Sequence, residues 1–146
     1  MRAMSGAEDS GLKAVVAWLI GSEGPGVRFA DEISERRVEY DAVVELLLVH
    51  PSAGIDPGEL EAVARAVAAG CLGQRHLWRD LDLPDRATLR LLLETYFGPL
   101  AVENTRDMRW KKFIYRKVCR WGGFHTCAAP SCGECSSYEE CFGGEA

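Results

Sequence analysis

The sequence predicts an all-α fold, a single helical domain of about five to six helices that carries a C-terminal cysteine-rich loop. Three observations predict it. Apolar side chains recur at three- and four-residue intervals along most of the chain, in segments bounded by capping and turn residues. A length of 146 residues suits one domain, and a core of that size buries about 68–70% of the unfolded surface, so no metal is required merely for folding. Four of the six cysteines fall between residues 127 and 141. The chain therefore divides into a helical body, residues 1–121, and a metal-binding tail of the same domain, residues 122–146.

Taken in order, Ser10 can cap a first helix in which Leu12, Val15, Val16 and Leu19 share one face, with Gly21 beyond its end. Residues 21–26 read as a loop on their turn residues. A longer helix is expected over residues 31–49, apolar at Ile33, Tyr40, Val43, Val44 and Leu47, with a solvated charged first half and Pro51 after it. Asp56-Pro57-Gly58-Glu59 is a variant capping box with proline at the first helical position. It opens a helix through Leu60, Val63, Ala64 and Val67 towards a Gly70 C-cap. The alanines of that helix let a neighbour approach closely, and Cys71 at its end reads as a small buried residue rather than a ligand. Residues 74–81 suggest a short helix. After Pro84 the most regular helix places Leu89, Leu92, Leu93, Tyr96 and Phe97 on one stripe before Gly98-Pro99.

The polar residues 104–108 lead into a last helix over residues 109–121. Trp110, Ile114, Val118 and Trp121 share one face of it, and Arg109, Lys112, Arg116 and Arg120 form a stripe on another. Charge is concentrated here: residues 1–105 carry 10 basic and 17 acidic side chains, residues 106–120 carry 7 and 1, and the remainder 0 and 4. A basic stripe is usually a solvated face. On an otherwise acidic chain it can also guide an oxyanion or stabilise a negative cluster nearby, and its late cations offset the negative dipole end of the helix.

The cysteines follow directly, as Cys127, Cys132, Cys135 and Cys141 in the spacing C-x4-C-x2-C-x5-C. Thiolates are soft ligands that select iron–sulfur clusters, zinc or copper(I). A structural zinc usually takes two knuckles a dozen or more residues apart, whereas an iron–sulfur cluster several ångströms across can be reached from one short loop. Iron–sulfur is therefore the favoured reading, ahead of zinc and of disulfides. Cys119, eight residues before Cys127, and His125 are possible additional metal contacts. The acidic first ten residues and the seven-residue apolar run 14–20 do not make an export signal or a membrane span, so a cytoplasmic location is expected, and a reducing compartment favours metal over disulfides. No phosphate loop, catalytic triad order or zinc-protease helix is present, so an enzymatic role is not expected.

The run Asn104-Thr-Arg-Asp-Met-Arg-Trp-Lys-Lys-Phe-Ile-Tyr-Arg-Lys-Val-Cys119, followed by the four-cysteine tail ending Cys141-Phe-Gly143, resembles the NifQ family of nitrogen-fixation proteins. His76-Leu-Trp-Arg-Asp-Leu81 is similar to that family as well. The resemblance implies a carrier of an iron–sulfur cluster, of 4Fe–4S or 3Fe–4S type, that takes up molybdenum from molybdate. It implies donation of that molybdenum to assembly of the nitrogenase iron–molybdenum cofactor, with the scaffold and nitrogenase iron protein as partners and with Cys127, Cys132, Cys135 and Cys141 as ligands. A short N-terminal region and Asp82, where the family pattern has glycine, depart from it.

Two rivals belong to other classes. Helical DNA-repair glycosylases carry a similar C-x6-C-x2-C-x5-C loop, but this chain lacks their Gly-rich hairpin element and is acidic, so no nucleic acid is expected. A zinc-stabilised interaction module would be colourless and redox-inert.

Overall fold

The computed structural model describes residues 6–121, with side chains from residue 11 to residue 119, and among these every regular element is an α-helix. α1 (Gly6–Leu19) begins ahead of Ser10, which lies inside the helix instead of capping it. Nothing in Gly6-Ala-Glu-Asp breaks a helix. Leu12, Val16 and Leu19 are buried as their spacing requires. Gly24 then abuts the Leu19 carbonyl so closely that any side chain would overlap it, and Pro25 starts the one-turn helix α2 (Pro25–Arg28).

The helix expected over residues 31–49 is broken in two, α3 (Ala30–Glu35) and α4 (Arg37–Leu48). The break falls at Arg36, which leaves helical geometry at φ −121° and ψ 44°. Its guanidinium donates to the Leu72 carbonyl oxygen at 3.0 Å and to Glu39 at 2.5 Å, a tertiary tie that overrides the local preference for one continuous helix. α3 has no buried residue, in keeping with a solvated charged segment, whereas α4 buries Tyr40, Val43, Val44, Leu46 and Leu47.

α5 (Pro57–Cys71) starts as its sequence requires, with an Asp56 carboxylate oxygen accepting from the Glu59 backbone N–H at 3.0 Å. It does not stop at Gly70. The helix runs on to Cys71 with Leu72 as C-cap, and Gly70 is an interior residue whose missing side chain leaves room for Leu77 and Leu81. Ala64, Ala66, Ala68 and Ala69 are all buried, and α4 packs along this smooth surface.

The one-turn α6 (Leu77–Asp80) docks on α5. Asp85 then caps α7 (Arg86–Tyr96) through the Thr88 N–H at 2.8 Å. Leu89, Leu92, Leu93 and Tyr96 of α7 face the core, α8 (Gly98–Ala101) follows after the single residue Phe97, and α9 (Trp110–Trp121) returns across α4. Against the five to six helices expected, nine segments are present among the described residues, because α2, α3, α6 and α8 are pieces of one or two turns between five longer helices. None of the described helices is long and apolar enough to cross a membrane.

Candidate metal centre and the helix that leads to it

The four tail cysteines and His125 lie outside the described residues, as does the Arg120 side chain, while α9, which carries the chain into them, is described. Among the described residues no group of three or more His, Cys, Asp or Glu side chains is arranged to hold a metal ion. What the described fold contributes is how α9 is held.

Its launch is set by the polar turn before it. Buried Asn104 pairs twice with the Met108 backbone, donating from Nδ2 to the carbonyl oxygen and accepting the N–H, both at 2.8 Å. Asp107 stands in the left-handed region at φ 53°. Its carboxylate accepts from Arg86 at 2.8 Å and from Arg90 at 3.1 Å. The Arg86 hydrogen bond, helped by Arg90, holds that carboxyl below the usual range. Arg90 also lies over the Trp110 ring, 5.7 Å from its centroid, and Trp110 meets Phe113 edge to face at 5.6 Å.

The described buried face of α9 consists of Trp110, Phe113, Ile114 and Val118, which are three of the four residues of the stripe read from the sequence with Phe113 added at its flank, while the Trp121 side chain lies outside the described residues. The Lys111 ammonium is largely buried and donates to the Gly73 carbonyl oxygen at 2.8 Å and to the Asp80 carboxylate. Asp80 is only 2% exposed and also accepts from the Arg75 backbone N–H at 3.0 Å and from Arg75 Nε at 3.3 Å. Gly73 is required beside it, because a methyl group there would overlap the Asp80 carboxyl group. One turn further along α9, the Tyr115 hydroxyl donates to the Cys71 carbonyl oxygen at 3.2 Å. Its approach to Glu39 Oε2, at 3.5 Å, is at the limit of a hydrogen bond.

Lys111 is a residue the sequence reading missed as structural: it sat among seven cations and off their stripe. The available signal was its angle, about 100° from Trp110 and so at the edge of the apolar face, where a lysine stem packs while its head seeks a partner. Through this pair, Asp80 of His76-Leu-Trp-Arg-Asp-Leu81 and Lys111 of Met108-Arg-Trp-Lys-Lys-Phe113 meet in space. His76 itself is the residue before α6, half-buried, with its backbone carbonyl accepting from Arg79 and Asp80.

Arg109, Lys112 and Arg116 are half-buried on the side of α9 away from Ile114, and Cys119 is half-buried beside them. Cys71 is enclosed within the α5–α6–α9 junction, where burial pushes its thiol up to about 12, so it stays protonated. Asp82 adopts φ 56°, the left-handed conformation for which glycine is the default, which accounts for glycine as the pattern residue there. In this chain the aspartate is retained with Arg28, which donates to its carboxylate at 2.9 Å and to the Asp80 carbonyl oxygen.

Comparison with known proteins shows which chains this one is similar to. The family profile described as NifQ matches residues 4–143. The chain is 47% identical over 115 residues to "Protein NifQ" of Azotobacter vinelandii, a match covering 79% of this chain and 58% of the relative. It is 47% identical over 98 residues to "Protein NifQ homolog" of Sinorhizobium fredii, covering 67% and 42%, and 40% identical over 90 residues to "Protein NifQ" of Rhodobacter capsulatus, covering 62% and 50%. The chain thus spans about half the length of these relatives. No solved structure matches it. With a family profile aligned over nearly every residue, from α1 through the last of the four cysteines, the chain belongs to the NifQ family.

Proposed function

We propose that the protein serves nitrogen fixation as a carrier that binds molybdenum at an iron–sulfur centre and donates it to assembly of the nitrogenase iron–molybdenum cofactor. The observation that supports this most directly is the C-x4-C-x2-C-x5-C series, Cys127, Cys132, Cys135 and Cys141, placed directly after α9 in a NifQ-family chain. The donor set fits the group. Four thiolates within 15 residues match the ligand count of a 4Fe–4S cluster, and three of them would hold a 3Fe–4S form. When bound, such a centre supplies sulfide bridges soft enough to hold molybdenum.

The chain's own residues do the rest. Lys112, Arg116 and Arg109, with Arg120 further along, give α9 a cationic face that raises the local concentration of molybdate near the tail. Cys119 and His125 are the additional donors nearest in sequence. The partners are the scaffold and iron proteins of cofactor assembly, and the role is that of a donor rather than an enzyme. A cytoplasmic setting keeps the thiols reduced.

Metal and sulfide analysis of anaerobically isolated protein tests the reading. Iron and sulfide are expected, with molybdenum taken up when molybdate is supplied. Alanine at any one of Cys127, Cys132, Cys135 or Cys141 should lower bound iron, whereas Cys71→Ala should keep it. Zinc at one equivalent without iron would overturn the carrier reading in favour of a zinc-stabilised module.

A further inference from the structure

α9 is docked by a narrow apolar face and a few polar clasps. Nine residues of α5 are buried, whereas the described buried residues of α9 are Trp110, Phe113, Ile114 and Val118, packed chiefly along α4. The end of α5 and α6 are reached by polar groups instead, Lys111 to the Asp80 carboxylate and the Gly73 carbonyl oxygen, and Tyr115 to the Cys71 carbonyl oxygen. Such clasps fix where a helix sits but add little net stability, because both ions of a buried pair give up their hydration. The Trp110 indole N–H is buried too and has no acceptor among the described residues. A buried donor left unpaired opposes docking, and water satisfies it on release. We propose that α9 is a latch on the helical body: it opens as one unit about the connection 102–107 while α4, α5 and α7 stay folded, and its opening uncovers Cys71 and Asp80.

The connection suits a pivot. Val102, Glu103, Thr105, Arg106 and Asp107 are exposed, and the pairing of Asn104 with the Met108 backbone is local. Moving elements are drawn from the least stable part of a fold, where few apolar contacts are lost on opening. The closed state is favoured at rest, because the four apolar side chains leave water on docking. It is also specific, since Lys111 and Tyr115 stand one turn apart on α9 and find acceptors on different elements, so the helix returns to one register. Once released, 12 residues are marginal as a helix in water, so opening exposes the backbone amides of α9 to exchange. The latch is a property of the helical body and stands or falls apart from the carrier reading.

Amide hydrogen exchange of the full chain in increasing sub-denaturing urea, read by peptide mass, tests this together with labelling of Cys71 by a thiol reagent, mapped to its own peptide. Peptides of α9 are expected to exchange before those of α5 and α7 and with a smaller urea slope, which marks a partial opening. Cys71 should be labelled at the rate at which α9 opens. Lys111→Met should raise both rates about tenfold. Val63→Ala, at a fully buried position of α5 about two turns from Cys71, should speed exchange of α5 by about tenfold or more and leave the α9 and Cys71 rates unchanged. The proposal is overturned if α9, α5 and α7 exchange together with one slope, or if Val63→Ala speeds Cys71 labelling as much as α5 exchange, because α9 would then open only with the whole fold. It is equally overturned if α9 exchanges early while Cys71 is labelled only in global unfolding, since the helix would then fray in place.

Discussion

Removing the Asp80 carboxylate should destabilise the protein far more than removing any exposed charge. In Asp80→Ala the Lys111 ammonium, buried against the Gly73 carbonyl, loses its counter-ion, and the Arg75 N–H loses its acceptor. The Asp80 side chain is 3% exposed and that of Lys111 18%, so water cannot easily replace the missing group. Breaking a buried pair from one side costs about 3–5 kcal/mol. With a urea m-value of about 1.5 kcal/mol/M, within the usual range for small domains, the unfolding midpoint should fall by about 2–3 M. Lys111→Met should cost less, about 1–3 kcal/mol, because Asp80 keeps its two contacts with Arg75. Urea unfolding followed by far-ultraviolet circular dichroism measures all three variants, and the double variant should cost clearly less than the sum of the two single ones. A loss below about 1 kcal/mol for Asp80→Ala, or strict additivity in the double variant, would refute the idea that this pair anchors α9.

Other consequences can be measured on the same protein. Gly73→Ala should lower the thermal midpoint markedly, since the added methyl displaces a carboxyl group held by Lys111 and Arg75 at a cost of about 1–3 kcal/mol. Asp82→Gly relieves a left-handed residue but gives up the half-exposed Arg28 pair, so the change should stay within about 1 kcal/mol, whereas Asp82→Val should destabilise by about 1–2 kcal/mol on thermal unfolding. The Cys71 thiol, ordinarily near 9.0, is pushed up to about 12 in the fold. Above pH 9 the unfolded chain releases this proton while the folded chain keeps it, so stability present below pH 9 should be lost as pH rises towards 12. The slope relative to Cys71→Ala should be at most about 1.4 kcal/mol per pH unit. A disulfide reagent at pH 8 should modify Cys71 only as fast as the protein opens, and a rapid reaction in the folded state would contradict the burial.

Several elements were legible because their determinants are local. Asp56 caps its helix through an N–H group three residues away, within the window in which a capping signal can be read, whereas the helix read as starting at Pro84 starts at Arg86 with Asp85 as its cap. The stripe of α7 and the buried Trp110, Ile114 and Val118 of α9 follow from period alone. Where the expectations changed, a distant partner was responsible. Arg36 broke a helix that periodicity runs straight through, by bonding a carbonyl 36 residues away. Gly70 looked like a helix end and is instead a packing gap for Leu77 and Leu81. Ser10 had the chemistry of a cap, but three favourable residues before it extended the helix.

The sequence by itself determined a helical chain with four closely spaced cysteines after a cationic helical stretch, because residue type, spacing and helical angle are all properties of neighbours along the chain. Only the tertiary structure decided that Lys111 of that helix is tied to a buried carboxylate. Lys111 and Lys112 are adjacent and chemically identical, yet about 100° of helix rotation sends one beneath the surface to Asp80, 31 residues away, and leaves the other on the outer arc with Cys119. Period can place a lysine at the edge of an apolar face. It cannot name the buried carboxylate that waits there, since that choice is made by how α6 and α9 pack around the end of α5.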